Sequence, residues 1–120
     1  MKHNFIVTPT FEKSLKALAK KYFSIASDFI QFKNELEENP NYGTPLGGGY
    51  RKIRMEIKAK NRGKSGGARI ISYDMDIIIK EDGEQEKTIL LVNIYDKSEQ
   101  STMKDYQYKP IVKEFLENNK

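Results

Sequence analysis

The chain of 120 residues has no cysteine and a single histidine, His3. Without cysteine there is no disulfide framework, no thiol nucleophile and no thiolate zinc site. One histidine beside the amino terminus, expected to face solvent, gives a transition metal little to bind. Asp74 and Asp76 lie two apart and could hold a hard cation, but paired acids near a strand end read as exposed solubility residues. No cofactor is implied. No apolar run approaches the roughly 20 residues that cross a bilayer. The opening MKHNFIVTP is too short and too polar for a signal peptide. The cytoplasm is therefore the simplest location. With no repeat, no low-complexity linker and no internal boundary, residues 1–120 read as a single domain.

What the chain does have is a concentration of positive charge. From Arg51 to Arg69, eight basic residues stand against one acid, Glu56, which gives +7 and leaves −3 for the rest of a chain whose total is +4. Such a block is the footprint of a polyanion-binding surface, although a solvated basic hairpin would look the same.

Periodicity supplies the frame. FIVTP (5–9) reads as a strand, and Thr8 with Pro9 can open a helix. Phe11, Leu15, Leu18 and Tyr22 share one helical face, and Ile25, Phe29, Phe32 and Leu36 share another before Asn39-Pro40. NPNYGTPLGGGY (39–50) reads as a loop. The period then changes from 3.6 to 2. Ile53, Met55, Ile57 and Ala59 alternate with Lys52, Arg54, Glu56 and Lys58, so one face packs inward while Lys52, Arg54 and Lys58 stand together on the other. ARIISYDMDIII (68–79) and TILLVNIYDK (88–97) are strands around a hairpin loop, KEDGEQEK, and the second, being the most apolar, reads as central. Ser101 or Thr102 can cap a last helix that Pro110 should kink or restart. The order β-α-α-β-β-β-α predicts an α+β domain, a mainly antiparallel four-stranded sheet packed against helices in two layers.

Residues 61–69 read NRGKSGGAR. The G-K-S ends like a phosphate-binding P-loop, but Lys58 stands where that motif needs glycine, and a strand follows where it needs a helix. A glycine-built turn is the better reading, with Gly63, Gly66 and Gly67 free to take positive φ. Lys60, Arg62 and Lys64 on the same turn suit a phosphodiester backbone. Lysine, arginine and tyrosine are then the groups left for chemistry. Together they can cleave RNA: a lysine crowded by cations can serve as base, and arginines neutralise the phosphorane.

KIRMEIKAKNRGKSGGARIISY (52–73) followed by LVNIYDKSEQS (91–101) resembles the RelE/ParE superfamily of bacterial type II toxin–antitoxin toxins, and GKSGGAR is most similar to its HigB-like branch. Element order and length extend the resemblance over nearly the whole chain, from FIVTPTFEKSLKAL to the last helix. It implies a ribosome-dependent endoribonuclease that cuts mRNA in the ribosomal A site and so blocks translation. Matched by position, Lys52 is the general base or a charge stabiliser, Arg54 and Arg69 hold the scissile phosphate, and Lys97 stabilises the leaving oxygen. Lys58, Lys60, Arg62 and Lys64 would contact mRNA or rRNA backbone. The carboxy-terminal tyrosine with which some relatives stack a base falls on Met103. Tyr95 or Tyr106 could substitute, and Tyr73 less well, which leaves the acid step unassigned.

The resemblance also implies a cognate antitoxin, a small helix-turn-helix or acidic protein that covers the basic face or a sheet edge. The ParE branch offers an alternative, a DNA gyrase inhibitor acting by protein–protein contact. A basic RNA-binding module without activity is a second alternative.

Overall fold

Thr8 fixes how the chain enters the domain. Its side-chain oxygen accepts from the Phe11 N–H at 2.9 Å and donates to the Val92 carbonyl at 2.7 Å, while its own N–H reaches the Leu91 carbonyl at 3.1 Å. One residue thus caps the first helix and ties it to the sheet. A computed structural model describes residues 2–119, with the side chains of 76–78 outside that description. Strand β1 (Lys2–Val7) leads into helix α1 (Pro9–Lys21), and a break around the fully exposed Phe23 separates it from α2 (Ile25–Glu38). Strands β2 (Thr44–Gly47), β3 (Tyr50–Met55), β4 (Ala68–Ile79) and β5 (Gln85–Asp96) follow, then helix α3 (Asp105–Asn118).

The α+β class holds, with one five-stranded sheet in the order β1-β5-β4-β3-β2. β1 runs parallel to β5 and every other pair is antiparallel. The strand beyond the expected four is β2, a short exposed edge inside the segment read as loop. Its glycine and proline content hides it from propensity, and only its pairing to β3 makes it a strand. β5 is an interior strand as expected, but β4 occupies the centre.

The helices divide between the two faces of the sheet, so the two expected layers become three. Phe11, Leu18, Ile25, Phe32 and Leu36 of α1 and α2 pack on Ile53, Met55, Ile70, Ile89 and Leu91. On the other face Tyr108 and Val112 of α3 pack on Ile71, Leu90, Val92 and Tyr95. α3 begins at Asp105, later than Ser101 or Thr102 would place it, because the Gln107 side chain accepts from the Lys104 N–H at 2.8 Å. It stays helical through Pro110.

Two local features govern what the sheet presents. Pairing shifts from Ile71↔Asn93 to Ser72↔Leu91, so β5 carries one extra residue at Val92–Asn93. Leu91 and Ile94 therefore both face the first core, with Val92 and Tyr95 facing the second. Asn93 is held by the Ser14 hydroxyl at 2.7 Å. The second feature is Asp96, whose carboxylate is fully buried at the end of β5. It accepts from Tyr22 at 2.6 Å, Lys60 at 2.8 Å, and the Ser98 N–H and hydroxyl at 2.9 and 2.8 Å.

Burial alone would raise the Asp96 pKa, but the hydrogen bonds from Lys60, Tyr22 and Ser98 outweigh it and hold the carboxyl well below the usual carboxylate range. A carboxyl with a depressed folded-state pKa stabilises the protein above its unfolded value, about 4, and loses that contribution as the pH falls further. Urea titrations should therefore show unfolding free energy dropping below about pH 4. Asp96→Asn should flatten that drop and cost about 3 kcal/mol at neutral pH, because Lys60 loses its counter-charge. An unchanged pH profile in the variant would contradict this role.

Candidate functional site

The alternation of β3 turns Ile53 and Met55 into the first core and leaves Lys52 and Arg54 on the opposite face. Register then brings the cations of separate strands together. Arg54 is the direct cross-strand partner of Arg69, and Thr44 of β2 is the partner of Lys52. The extra residue in β5 directs Asp96 toward α1 and the next residue, Lys97, to the other side. The Lys97 N–H also donates to the Gly67 carbonyl at 3.2 Å, which fixes it beside the glycine-rich turn. The result is an open cleft of about 450 Å³ lined by Tyr42, Gly43, Thr44, Lys52, Arg54, Arg69, Lys97 and Ser101. Among the described residues that line it, four are basic and none is acidic.

Arg69 is the buried member, with 5% of its surface exposed. Its Nη1 donates to the carbonyls of Lys64 and Ala68, and its Nη2 to that of Ser65, all at 3.1 Å. A guanidinium has five N–H donors, so about two remain for a ligand. Burial first, and the adjacent Arg54 second, push the Arg69 pKa down. A desolvated cation opposed by another cation, with no carboxylate beside it among the described residues, favours an incoming anion.

The turn that Arg69 grips owes its glycines to space more than to φ. Only Gly63 has a positive φ, 64°, and Asn61 takes 54°. A Cβ on Gly67 would lie 2.2 Å from the Met55 carbonyl oxygen, and one on Gly66 would lie 2.6 Å from Arg62 Cβ. The turn therefore packs directly against the end of β3, which any side chain at Gly67 would prevent.

Several expected contacts go elsewhere. β3 ends at Met55 and a 3-10 turn follows at Lys58–Lys60, which breaks the alternation. Lys58 is exposed on the α2 side, near Asp28 and Glu35, and does not stand with Lys52 and Arg54. Lys60 is committed to Asp96. Lys64 reaches Glu35 at 2.8 Å and the Tyr42 hydroxyl at 3.2 Å, and the Glu35 hydrogen bond raises its pKa. Arg62 is exposed at the tip of the turn.

The proposed aromatic substitutes also lie outside the cleft. Tyr95 is 7% exposed in the second core under α3, where burial raises its pKa. Tyr106 is exposed on the first turn of α3, and Tyr73 packs on Tyr50 with ring centroids 4.7 Å apart. His3 is buried, against expectation, with Nδ1 3.3 Å from a Glu37 oxygen at the end of α2. Asp74 is engaged by Lys87 at 3.2 Å and Arg51 at 3.9 Å, and the side chain of Asp76 lies outside the described residues. Among the described residues no three His, Cys, Asp or Glu side chains converge as metal ligands do.

No family model matches the chain.

Besides Gly43, three cleft residues escaped the sequence reading. Tyr42 and Thr44 fall in the glycine- and proline-rich stretch read as loop, and Ser101 carried only a capping role. The usable signal was Tyr42 itself, an aromatic residue in a glycine-rich segment that leads directly into a basic strand.

Like charges directly opposite across antiparallel strands destabilise a sheet. Arg54→Gln should therefore leave stability unchanged or raise it by about 0.5 kcal/mol at low salt, with the gain shrinking as salt screens the pair. Urea midpoints of wild type and variant in low and high salt measure this. A clear loss of stability at low salt would show that Arg54 supports the fold.

Proposed function

We propose that the chain is the toxin of a type II toxin–antitoxin module of RelE/ParE type, a ribosome-dependent endoribonuclease that stops translation by cutting mRNA. The observation that carries this reading is the meeting of Lys52, Arg54, Arg69 and Lys97 in one cleft free of acidic side chains among the described residues. These are the four positions to which the resemblance assigns catalysis. They come from three strand regions, and strand pairing brings them together.

The cleft's chemistry suits phosphodiester transfer. Lys52, when uncharged, takes the proton of the 2′-hydroxyl as its oxygen attacks phosphorus. Arg54 and the two remaining N–H groups of Arg69 bind the nonbridging oxygens, whose charge grows in the phosphorane. Lys97, at the rim beside the turn, neutralises charge on the departing 5′-oxygen. The products are a 2′,3′-cyclic phosphate and a 5′-hydroxyl. Arg62 and Lys58, exposed beyond the cleft, are available to rRNA or mRNA backbone, whereas Lys60 and Lys64 act through the fold.

The partners under this reading are mRNA, the ribosome and a cognate antitoxin. A small helix-turn-helix or acidic protein able to set carboxylates against the cleft would silence it. The cytoplasm is where those partners meet. No helix among the described residues is long and apolar enough to cross a membrane.

Expression of wild type and of a Lys52→Ala/Arg54→Ala double variant in a bacterium, with mRNA 5′ ends mapped across the transcriptome, tests the proposal. Both substitutions spare the turn that Arg69 holds. Wild type should arrest growth with cuts phased to codons, and the variant should do neither. Equal arrest without phased cuts would overturn the reading. Arrest with stalled supercoiling and intact translation would favour a gyrase inhibitor instead.

A further inference from the structure

Cleavage needs a proton for the leaving 5′-oxygen, and Met103, at the position of the family's tyrosine, has none to give; it packs into the second core. Three hydroxyl-bearing residues line the cleft, Tyr42, Thr44 and Ser101. A phenol is a far stronger acid than an aliphatic alcohol, and Tyr42 is the only tyrosine among the described residues of the lining.

Its surroundings fit a proton donor. The Lys64 ammonium donates to the Tyr42 hydroxyl oxygen at 3.2 Å and lies 4.8 Å from the ring centroid. Because the hydroxyl accepts this bond, its own proton is not committed to Lys64. Glu35 holds the ammonium from the other side at 2.8 Å, with its second oxygen 3.3 Å from Gln31. Lys64 further joins the donor to the phosphate clamp, since its backbone carbonyl accepts from Arg69.

We infer that Tyr42 is the general acid of the cleft, giving its proton to the leaving 5′-oxygen, with Lys64 and Glu35 as positioning residues. The inference deepens the RNA-cleavage reading and rests on it. The 2′-oxygen forms its bond to phosphorus and its proton passes to Lys52. The bond from phosphorus to the 5′-oxygen breaks, its electron pair stays on that oxygen, and the Tyr42 proton joins it. Solvent then takes the proton from Lys52 and returns one to the phenolate, so the enzyme is restored.

Replacement of the leaving oxygen by sulfur isolates the step, because a thiolate departs without protonation. Single-turnover cleavage would be followed on ribosomes programmed with an mRNA carrying either a normal linkage or a 5′-bridging phosphorothiolate at the cleavage site. Tyr42→Phe keeps the ring and removes only the hydroxyl. It should slow the oxygen substrate about 10²–10³-fold and cleave the sulfur substrate at nearly the wild-type rate. Glu35→Gln should show a smaller loss confined to the oxygen substrate, whereas Lys52→Ala should slow both. A Tyr42→Phe protein as fast as wild type on oxygen, or equally slow on both linkages, would overturn the assignment and leave RNA cleavage standing. Wild type that cuts neither message would overturn the RNA-cleavage reading itself, and this inference with it.

Discussion

The site depends on a buried cation that has no anion beside it among the described residues. Arg69 is held by two backbone carbonyls of the turn between β3 and β4 and by that of Ala68 at the start of β4, faces Arg54 across the strand pair, and is nearly removed from water. Carbonyl dipoles satisfy hydrogen bonds but do not cancel a charge. The folded protein therefore carries an electrostatic deficit at one place on its sheet, one that a bound phosphate would relieve. The bonds to Lys64 and Ser65 hold the turn in position, so under the proposed function one side chain would serve both structural support and ligand affinity.

The neighbouring parts exist to keep that arrangement in place. Gly67 lets the turn lie against the Met55 carbonyl, close enough for Arg69 to reach Lys64 and Ser65. The extra residue in β5 sends Asp96 to the α1 side, where Tyr22 and Lys60 hold it, and Lys97 to the cleft. On the far side of the turn Glu35 takes Lys64, which in turn takes Tyr42. The basic block from Arg51 to Arg69 is thus divided by function. Arg51, Lys60 and Lys64 meet Asp74, Asp96 and Glu35, all outside the block, while Lys52, Arg54 and Arg69 keep their charge for the cleft.

That division marks what the sequence could and could not reveal. Period-2 alternation correctly placed Lys52 and Arg54 opposite Ile53 and Met55, since one side of a strand must be buried. The helix pair was legible for the same reason, and the span of β4 from its β-branched residues. Lys58 went astray because the strand ends three residues before it, and the signal for a 3-10 turn is weak. The ion pairs of Lys60 and Lys64 were hidden because their acidic partners lie 36 and 29 residues away, beyond any local pattern. β2 and Tyr42 were missed because glycine and proline mark a loop by composition, and pairing to β3 is a tertiary fact. The bulge in β5 has no signature in an apolar run, yet it decides which way Lys97 points.

The central claim is that Lys52, Arg54, Arg69 and Lys97 act as one phosphate-binding surface. Its most direct test is the salt dependence of binding to single-stranded RNA, because each phosphate neutralised releases counterions. Replacing Lys52, Arg54 and Lys97 singly by alanine should lower the slope of log affinity against log salt by about 0.7 each, and together by about 2. A slope that the triple replacement leaves unchanged would contradict the claim and move the RNA, if bound at all, to another face of the protein.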